Sequence, residues 1–360
     1  MTRKSVIGYG GAALLGGAAA GVGAGVGLLF GAITWEAIRG ARPLDDGPDD
    51  QLASPAERVA GTVLTADGTR LNVVTYGPSA REQADRDVIV FVHGWTCTTE
   101  YWNPQLNHLL AGSSGDRTVV AYDQRGHGRS ELGTRKLSVD ILGQDLDAVL
   151  SQVVPPGRKA VLVGHSMGGM TIMSWAQQFP DRVAQIASSV VLVSTAAADV
   201  VQNIDVLPQV FPRYTTPFRP LVTKMITSTP IPLPRTAVGH RVAHYATLGP
   251  DARVAHVNFV DDLVCNCSAR ARAGWGSAMG KLNVTSGLRN LTVPVTVVVG
   301  SADRLTPPAH ADFMAEMLRH NGTLRDYVTY DGVGHMLSIE AEDDFNILLD
   351  KVLAEISPIS

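Results

Sequence analysis

The stretch Ala160-Val161-Leu162-Val163-Gly164-His165-Ser166-Met167-Gly168-Gly169-Met170 decides the reading of this chain. Its first four residues form a short, continuous apolar run, the pattern of a strand buried on both faces. They lead directly into Gly164-His165-Ser166-Met167-Gly168, a G-x-S-x-G pentapeptide, and the residues from Ser166 to Phe179 predict a helix. A strand, a sharp turn and a helix around one serine is the context in which this pentapeptide carries a nucleophile. The glycines are steric: side chains would collide in so tight a turn, and the serine is held in a strained conformation that presents its hydroxyl. A helix beginning at the serine also aims its N-terminal dipole at any negative charge that develops there.

Outward from this turn the same pattern repeats. Short Val/Ile/Leu-rich runs fall at Val88 to Val92, Val119 to Tyr122, Val190 to Val193 and Val295 to Val299. Helix-like stretches alternate with them at Leu137 to Val153, Pro307 to Leu318 and Ile339 to Ile356. Such alternation predicts an α/β doubly wound architecture, a mostly parallel sheet flanked by helices. Upstream, Val63 to Tyr76 reads as a hairpin turning at Asp67-Gly68. Residues 199–280 break the rhythm, with seven prolines between Pro208 and Pro234 and no sheet strand, and read as an inserted cap or lid. The core is thus expected in two parts, 58–198 and 281–360.

A serine hydroxyl near neutral pH needs a base, and the base needs an orienting acid. On a sheet of this kind they follow in the order serine, acid, histidine. Asp303 lies just past the Val295 to Val299 strand, in Gly300-Ser301-Ala302-Asp303. His335 lies in Gly332-Val333-Gly334-His335-Met336, after the strand-like Tyr327 to Tyr330. Ligands of open parallel sheets bind beyond the carboxyl ends of the strands, where all three residues fall. Asp331 is a weaker rival for the acid, being too close in sequence to His335 to support it from a separate strand. Of the ten histidines, His240, His244 and His256 fall in the cap, while His108, His310 and His320 read as helix-surface residues.

An oxyanion hole needs two backbone N–H donors. Met167, next after the nucleophile, is one candidate. Trp95 is the other, in the His93-Gly94-Trp95 loop after the Val88 to Val92 strand. Trp95, Met167, His165 and Met336 are expected to line the substrate.

Together His93-Gly94-Trp95, Asp123-Gln124-Arg125-Gly126-His127-Gly128-Arg129-Ser130, Gly164 to Gly169, Asp303 and Gly334-His335 resemble the lid-bearing α/β-hydrolases. These include esterases, monoacylglycerol-lipase-like enzymes and cofactor-free haloperoxidase-like enzymes. The resemblance covers about residues 58 to 358 and reaches neither residues 1–57 nor the cap. It implies the α/β-hydrolase fold and a structural, non-catalytic role for the loop from Asp123 to Ser130. Serine at 166 excludes the relatives with an aspartate nucleophile, the haloalkane dehalogenases and epoxide hydrolases. The expected chemistry is hydrolysis of small acyl or lipid-like esters through an acyl-enzyme. Acyl transfer or perhydrolysis on the same triad, or a silent membrane-anchored binding protein of the same fold, are the alternatives. No cofactor or metal is expected, since Cys265-Asn266-Cys267 has no placed partners.

In bulk, 360 residues with 45% hydrophobic and 18% charged residues suffice for a large core, and a net charge of −4 gives no reason to expect a nucleic-acid partner. Cys97, Cys265 and Cys267, an odd count, do not form a disulfide framework. The uncharged Gly/Ala-rich run from Ser5 to Trp35, with overlapping GxxxG spacings, predicts an N-terminal membrane segment over residues 1–35. As a helix it would extend about 46 Å, more than the ~30 Å hydrocarbon core. A cleaved signal ending near Ala18-Ala19-Ala20, with secretion of the rest, and a flexible tail are the other readings. The flanking Arg3, Lys4, Arg39 and Arg42 nearly balance, and the expectation is a catalytic domain outside the cytoplasm. Residues 36–57, with Asp45, Asp46, Asp49 and Asp50, read as a linker.

Overall fold

The computed structural model describes residues 43–55, 58–78, 86–112, 117–200 and 236–356, with Gly31, Ile204 and Ser228 as single residues. Eight strands form one sheet: β1 (Val59–Leu64), β2 (Arg70–Tyr76), β3 (Val88–Val92), β4 (Val119–Tyr122), β5 (Ala160–His165), β6 (Ala187–Val193), β7 (Val295–Gly300) and β8 (Leu324–Tyr330). Their spatial order is β1-β2-β4-β3-β5-β6-β7-β8. β2 pairs antiparallel with both its neighbours, and all pairs from β4 to β8 are parallel. The continuous apolar runs have the predicted cause. Every residue of β3, β4, β5 and β7 is buried, because helices cover both faces.

Alternation within the strands separates the two layers. Val88, Val90 and Val92 face one core cluster with Leu142, Leu146 and Trp175, whereas Ile89 and Phe91 face the other with Trp102, Leu106 and Phe345. Each fully buried aliphatic side chain contributes about 1.5–3 kcal/mol, and a one-residue slide of β3 would exchange its valines with Ile89 and Phe91 between layers packed for different volumes. The first layer carries α2 (Val139–Val153), α3 (Met167–Gln178) and α9 (Pro308–Asn321); the second carries α1 (Asn103–Ala111) and α11 (Glu342–Ile356). One predicted helix ends where expected and another is divided. After α3 the chain turns at Phe179 and restarts as α4 (Pro180–Ile186), with proline in the first turn, where its missing N–H is harmless. The predicted Ile339 to Ile356 helix breaks at Ala341 (φ −122°, ψ 48°) into α10 (Leu337–Glu340) and α11, whose first turn holds Glu342, Asp343 and Asp344.

The insertion between β6 and β7 contributes α5 (Ala237–Thr247), α6 (Val254–Asn266), α7 (Ala269–Met279) and α8 (Thr285–Asn290). Thr236 caps α5 by accepting the Gly239 N–H, and Ser268 caps α7 by accepting that of Ala271. The proline-rich part of the predicted lid, with Arg213, Arg219 and Lys224, lies outside the described residues, as does the apolar run from Ser5 to Trp35 apart from Gly31. Among the described residues no helix is long and apolar enough to cross a membrane.

Part of the segment read as a linker is docked. Leu44 pairs with the start of α6: its N–H donates to Ala252 O at 3.1 Å, and the Val254 N–H donates to Leu44 O at 2.8 Å. Arg253 Nε donates to Asp46 at 2.6 Å, and Asp49 accepts from Arg253 Nη1 and lies 3.3 Å from His256 Nε2. Asp46 and Asp49, two of the four linker aspartates, thus meet Arg253 on the cap. Beneath the hairpin, the buried Arg125 donates to Asp145 through Nε and Nη2 (2.8 and 2.7 Å) and to Asp67 through Nη1 (2.9 Å). Its guanidinium holds the Asp67 carboxyl well below the usual range, and together they tie the loop after β4 to the β1–β2 turn.

Candidate active site

β5 ends at His165, and the next residue, Ser166, has φ +51° and ψ −117°, a strained conformation for a residue with a side chain. The turn is as tight as the motif implied: a Cβ on Gly168 would stand 2.0 Å from Val92 O. The Ser166 N–H donates to Val193 O at 2.9 Å, and Thr195 Oγ1 donates to Ser166 O at 2.6 Å. The serine is therefore gripped from the neighbouring strand while its side chain stands at the start of α3. The His93-Gly94-Trp95 loop crosses directly over it, since a Cβ on Gly94 would lie 3.2 Å from Ser166 Cβ.

Asp303 follows β7 and His335 follows β8. His335 Nδ1 lies 3.0 and 2.9 Å from the two Asp303 oxygens, so it carries the proton and donates it, leaving Nε2 as the basic nitrogen. Asp303 Oδ1 also accepts the Leu305 and Thr306 N–H groups, each at 2.9 Å, and Oδ2 accepts Thr306 Oγ1 at 2.8 Å. These donors offset the burial of a carboxylate that is only 3% exposed. Ser166 and His335 follow strands three places apart, β5 and β8, with β6 and β7 between. The His335 loop folds back across that gap: His165 Nε2 donates to His335 O at 2.9 Å, and the two imidazole rings lie 4.9 Å apart.

The other expected site residues fall in different places. Neither the Trp95 nor the Met167 N–H is engaged by a backbone partner among the described residues, as oxyanion donors require. The Trp95 side chain, expected to face substrate, is partly buried, and its Nε1 donates to Arg272 O of α7 at 3.0 Å, joining the loop to the cap. His165 is buried between two rings, stacked on Tyr101 at 4.3 Å with His335 beyond, and burial pushes its pKa well down. It is a neutral brace for the His335 loop and not an open substrate contact. Met336 packs in the core cluster that also holds Tyr101 and Leu337.

Several contributors escaped the sequence reading. Thr306 reaches Asp303 and stands 3.2 Å from His335 Nδ1. His310, read as a surface residue, is buried near Asp303, and burial lowers its pKa. His93 and His127 are buried and neutral, pushed down to about 4 and about 3 by loss of hydration. His93 Nε2 accepts the Gln124 N–H at 2.9 Å and His127 Nε2 accepts the Thr96 N–H at 3.2 Å, fixing the loop that holds Trp95. Both stand in motifs that carry the family resemblance, but nothing local shows which N–H groups their rings accept. Glu340 Oε2, five residues beyond the histidine, accepts the N–H groups of Gly249 and Gly334 at 2.6 and 3.2 Å.

A serine elbow at the end of a central strand of this largely parallel sheet, under an inserted cap, defines an α/β-hydrolase. The chain belongs to the family described as serine aminopeptidase, S33, whose model matches residues 83–342. It is similar to the non-heme chloroperoxidase of Streptomyces lividans, with 30% identity across 78% of this chain and 95% of the relative. It is 28% identical to the bifunctional esterase/perhydrolase DCH of Acinetobacter calcoaceticus, over 78% and 95% of the two chains. The solved structure of an esterase from Exiguobacterium antarcticum superposes with a TM-score of 0.60 at 17% identity, covering 82% of this chain and all of that one, a likeness of fold.

Proposed function

We propose that this α/β-hydrolase is a serine hydrolase that cleaves carboxylic esters through an acyl-enzyme on Ser166. The observation that carries the reading is the His335 imidazole, fixed by both oxygens of Asp303 on a loop braced against the serine's own strand. His335 Nε2 takes the Ser166 proton as Oγ attacks the ester carbonyl. The N–H groups of Trp95 and Met167 receive the oxyanion. His335 passes the proton to the departing alcohol, then takes one from the water that attacks the acyl carbonyl; as the acid departs, His335 returns that proton to Ser166 Oγ. The esterase named among the relatives supports the substrate class. A fluorophosphonate probe should label wild-type protein and leave Ser166→Ala unlabelled, with kcat for a p-nitrophenyl ester lower by roughly 10⁴–10⁶. More than a tenth of wild-type turnover in that variant would refute the assignment. Failure of the wild type to label would leave the silent binding protein.

A second reading is perhydrolysis, supported by the chloroperoxidase and perhydrolase among the relatives. Hydrogen peroxide in place of water would attack the acyl-enzyme, releasing a peracid and regenerating Ser166. Peracid formation from an acyl ester and peroxide, measured against hydrolysis, separates the two.

For location, the apolar run from Ser5 to Trp35 supports a single membrane anchor with the catalytic domain outside the cytoplasm; secretion after cleavage is the alternative. Residues 200–281 hold nine Lys/Arg and four Asp, a net of +5 in a chain of net −4. An anchored, basic cap supports lipid-like esters taken from an anionic surface, though a solvated lid face carries such an excess too. Vesicles with anionic lipid should bind the anchor-free domain at low salt and release it as the Debye length falls from ~10 to ~3 Å. No binding at low salt would remove the membrane lipid from the reading.

A further inference from the structure

The loop that carries His335 is poorly equipped to hold an imidazole by itself. Two of the three residues before the histidine are glycines, Gly332 and Gly334, and Gly332 sits at φ +72°. Such a segment has wide conformational freedom. Much of its support comes from the cap. The N–H groups of His335 and Met336 both donate to Thr247 O, at 2.9 and 3.1 Å. Thr247 is the last residue of α5, so this carbonyl is one that the helix cannot satisfy internally. Beside it the two backbones are in direct contact: a Cβ on Gly249 would stand 2.1 Å from Gly332 O, and one on Gly334 would stand 2.4 Å from Gly249 N. Arg304, next to Asp303, donates to Tyr245 O at 3.1 Å and lies 4.5 Å from the centre of that ring.

One side chain closes this junction. Glu340, at the end of α10, accepts the Gly249 N–H from the cap and the Gly334 N–H from the histidine loop on a single oxygen. We propose that Glu340 is a positioning residue that couples the cap to the catalytic histidine. Its carboxylate joins cap residue Gly249 to Gly334, and His335 is set over Ser166 when that end of the cap is seated. The cap is thereby part of the mounting of the base as well as a cover over the substrate. The inference rests on the serine-hydrolase reading, in which His335 is the base. A histidine displaced by about 1 Å loses on the order of 10²-fold in rate, so the coupling acts on kcat more than on substrate affinity.

The test compares full-length wild type, Glu340→Ala and Glu340→Gln. Alanine removes the acceptor; the glutamine amide oxygen can still accept both N–H groups. Turnover of a p-nitrophenyl ester should fall about 10- to 100-fold in kcat for Glu340→Ala, with KM within threefold. Glu340→Gln should recover kcat to within about threefold of wild type. A role in stability alone would lower the folded fraction without this pattern in kcat per labelled serine. Backbone hydrogen exchange is read on the same proteins. In Glu340→Ala, segments 246–250 and 331–337 should exchange about tenfold faster, with β7 and β8 unchanged. A Glu340→Ala kcat within twofold of wild type, or unchanged exchange in both segments, overturns the proposal. Should that variant fail to fold, Glu340→Asp, which withdraws the oxygen by one methylene, takes its place with the same expectations. If the wild type neither labels nor turns over esters, the hydrolase reading falls, and the exchange comparison still decides whether Glu340 couples cap and loop.

Discussion

Replacing Asp303 by asparagine changes one oxygen into an amide nitrogen, and the surrounding donors dictate which. Oδ1 accepts two backbone N–H groups, from Leu305 and Thr306, so the amide oxygen must remain there. The NH₂ group then takes the place of Oδ2, 2.9 Å from His335 Nδ1. Two N–H donors cannot face each other, so Nδ1 becomes the acceptor and the imidazole proton moves to Nε2. That nitrogen can then no longer take the proton of Ser166. A wrong tautomer of this kind lowers kcat by about 10⁴, equivalent to about 5.5 kcal/mol of transition-state stabilisation. Stability should change much less, by about 1–2 kcal/mol, because the amide is nearly isosteric and keeps the backbone donors satisfied. The assay is steady-state hydrolysis of a p-nitrophenyl ester, with urea unfolding as the control. Turnover within tenfold of wild type, in a variant folded as well as wild type, would refute the tautomer argument and turn attention to another carboxylate, with Asp331 the nearest in sequence.

Arg125→Ala strands Asp145 in a buried place without its guanidinium and should destabilise the fold by about 3–5 kcal/mol, seen as a lower urea midpoint with an unchanged slope. Asp49→Ala removes the acceptor shared by Arg253 and His256 and should speed proteolysis within residues 36–57, while the rate of fluorophosphonate labelling changes little. Burial raises the Glu340 carboxyl from the ordinary 4.5 to about 7, so its contribution to stability is full below 4.5 and is lost as the pH rises through 7. Glu340→Gln has no such loss and should gain on wild type across that window, by at most about 3 kcal/mol; urea midpoints at pH 4.5 and 8 measure it, and equal differences at both would contradict the burial. Full-length protein should sediment with membranes and resist high-salt washing, whereas a chain beginning at residue 43, which keeps the Leu44 to Asp49 contacts, should be soluble. A full-length protein left in the supernatant would argue against the anchor.

The strands and the nucleophile were legible in the sequence because their causes are local. Strands buried on both faces show as largely continuous apolar runs, and a tight turn between strand and helix must place glycine around its serine. Chain order then nominated Asp303 and His335, since each follows a strand and lies at the sheet's carboxyl edge. What the sequence could not disclose were contacts between segments far apart in the chain. Asp49 and Arg253 are 204 residues apart, so no local pattern marks the acidic linker as docked on the cap. His165 and Met336 flank the nucleophile and the base, a position that predicts substrate contact, but which way a flanking side chain turns depends on the ring or core that receives it. Glu340 reads as one more helix residue until the fold brings Gly249, 91 positions away, to its carboxylate. Local sterics and periodicity determine elements from sequence alone, while the partners of a buried polar group are decided only when the tertiary fold closes around it, because only then must each lost hydration be replaced.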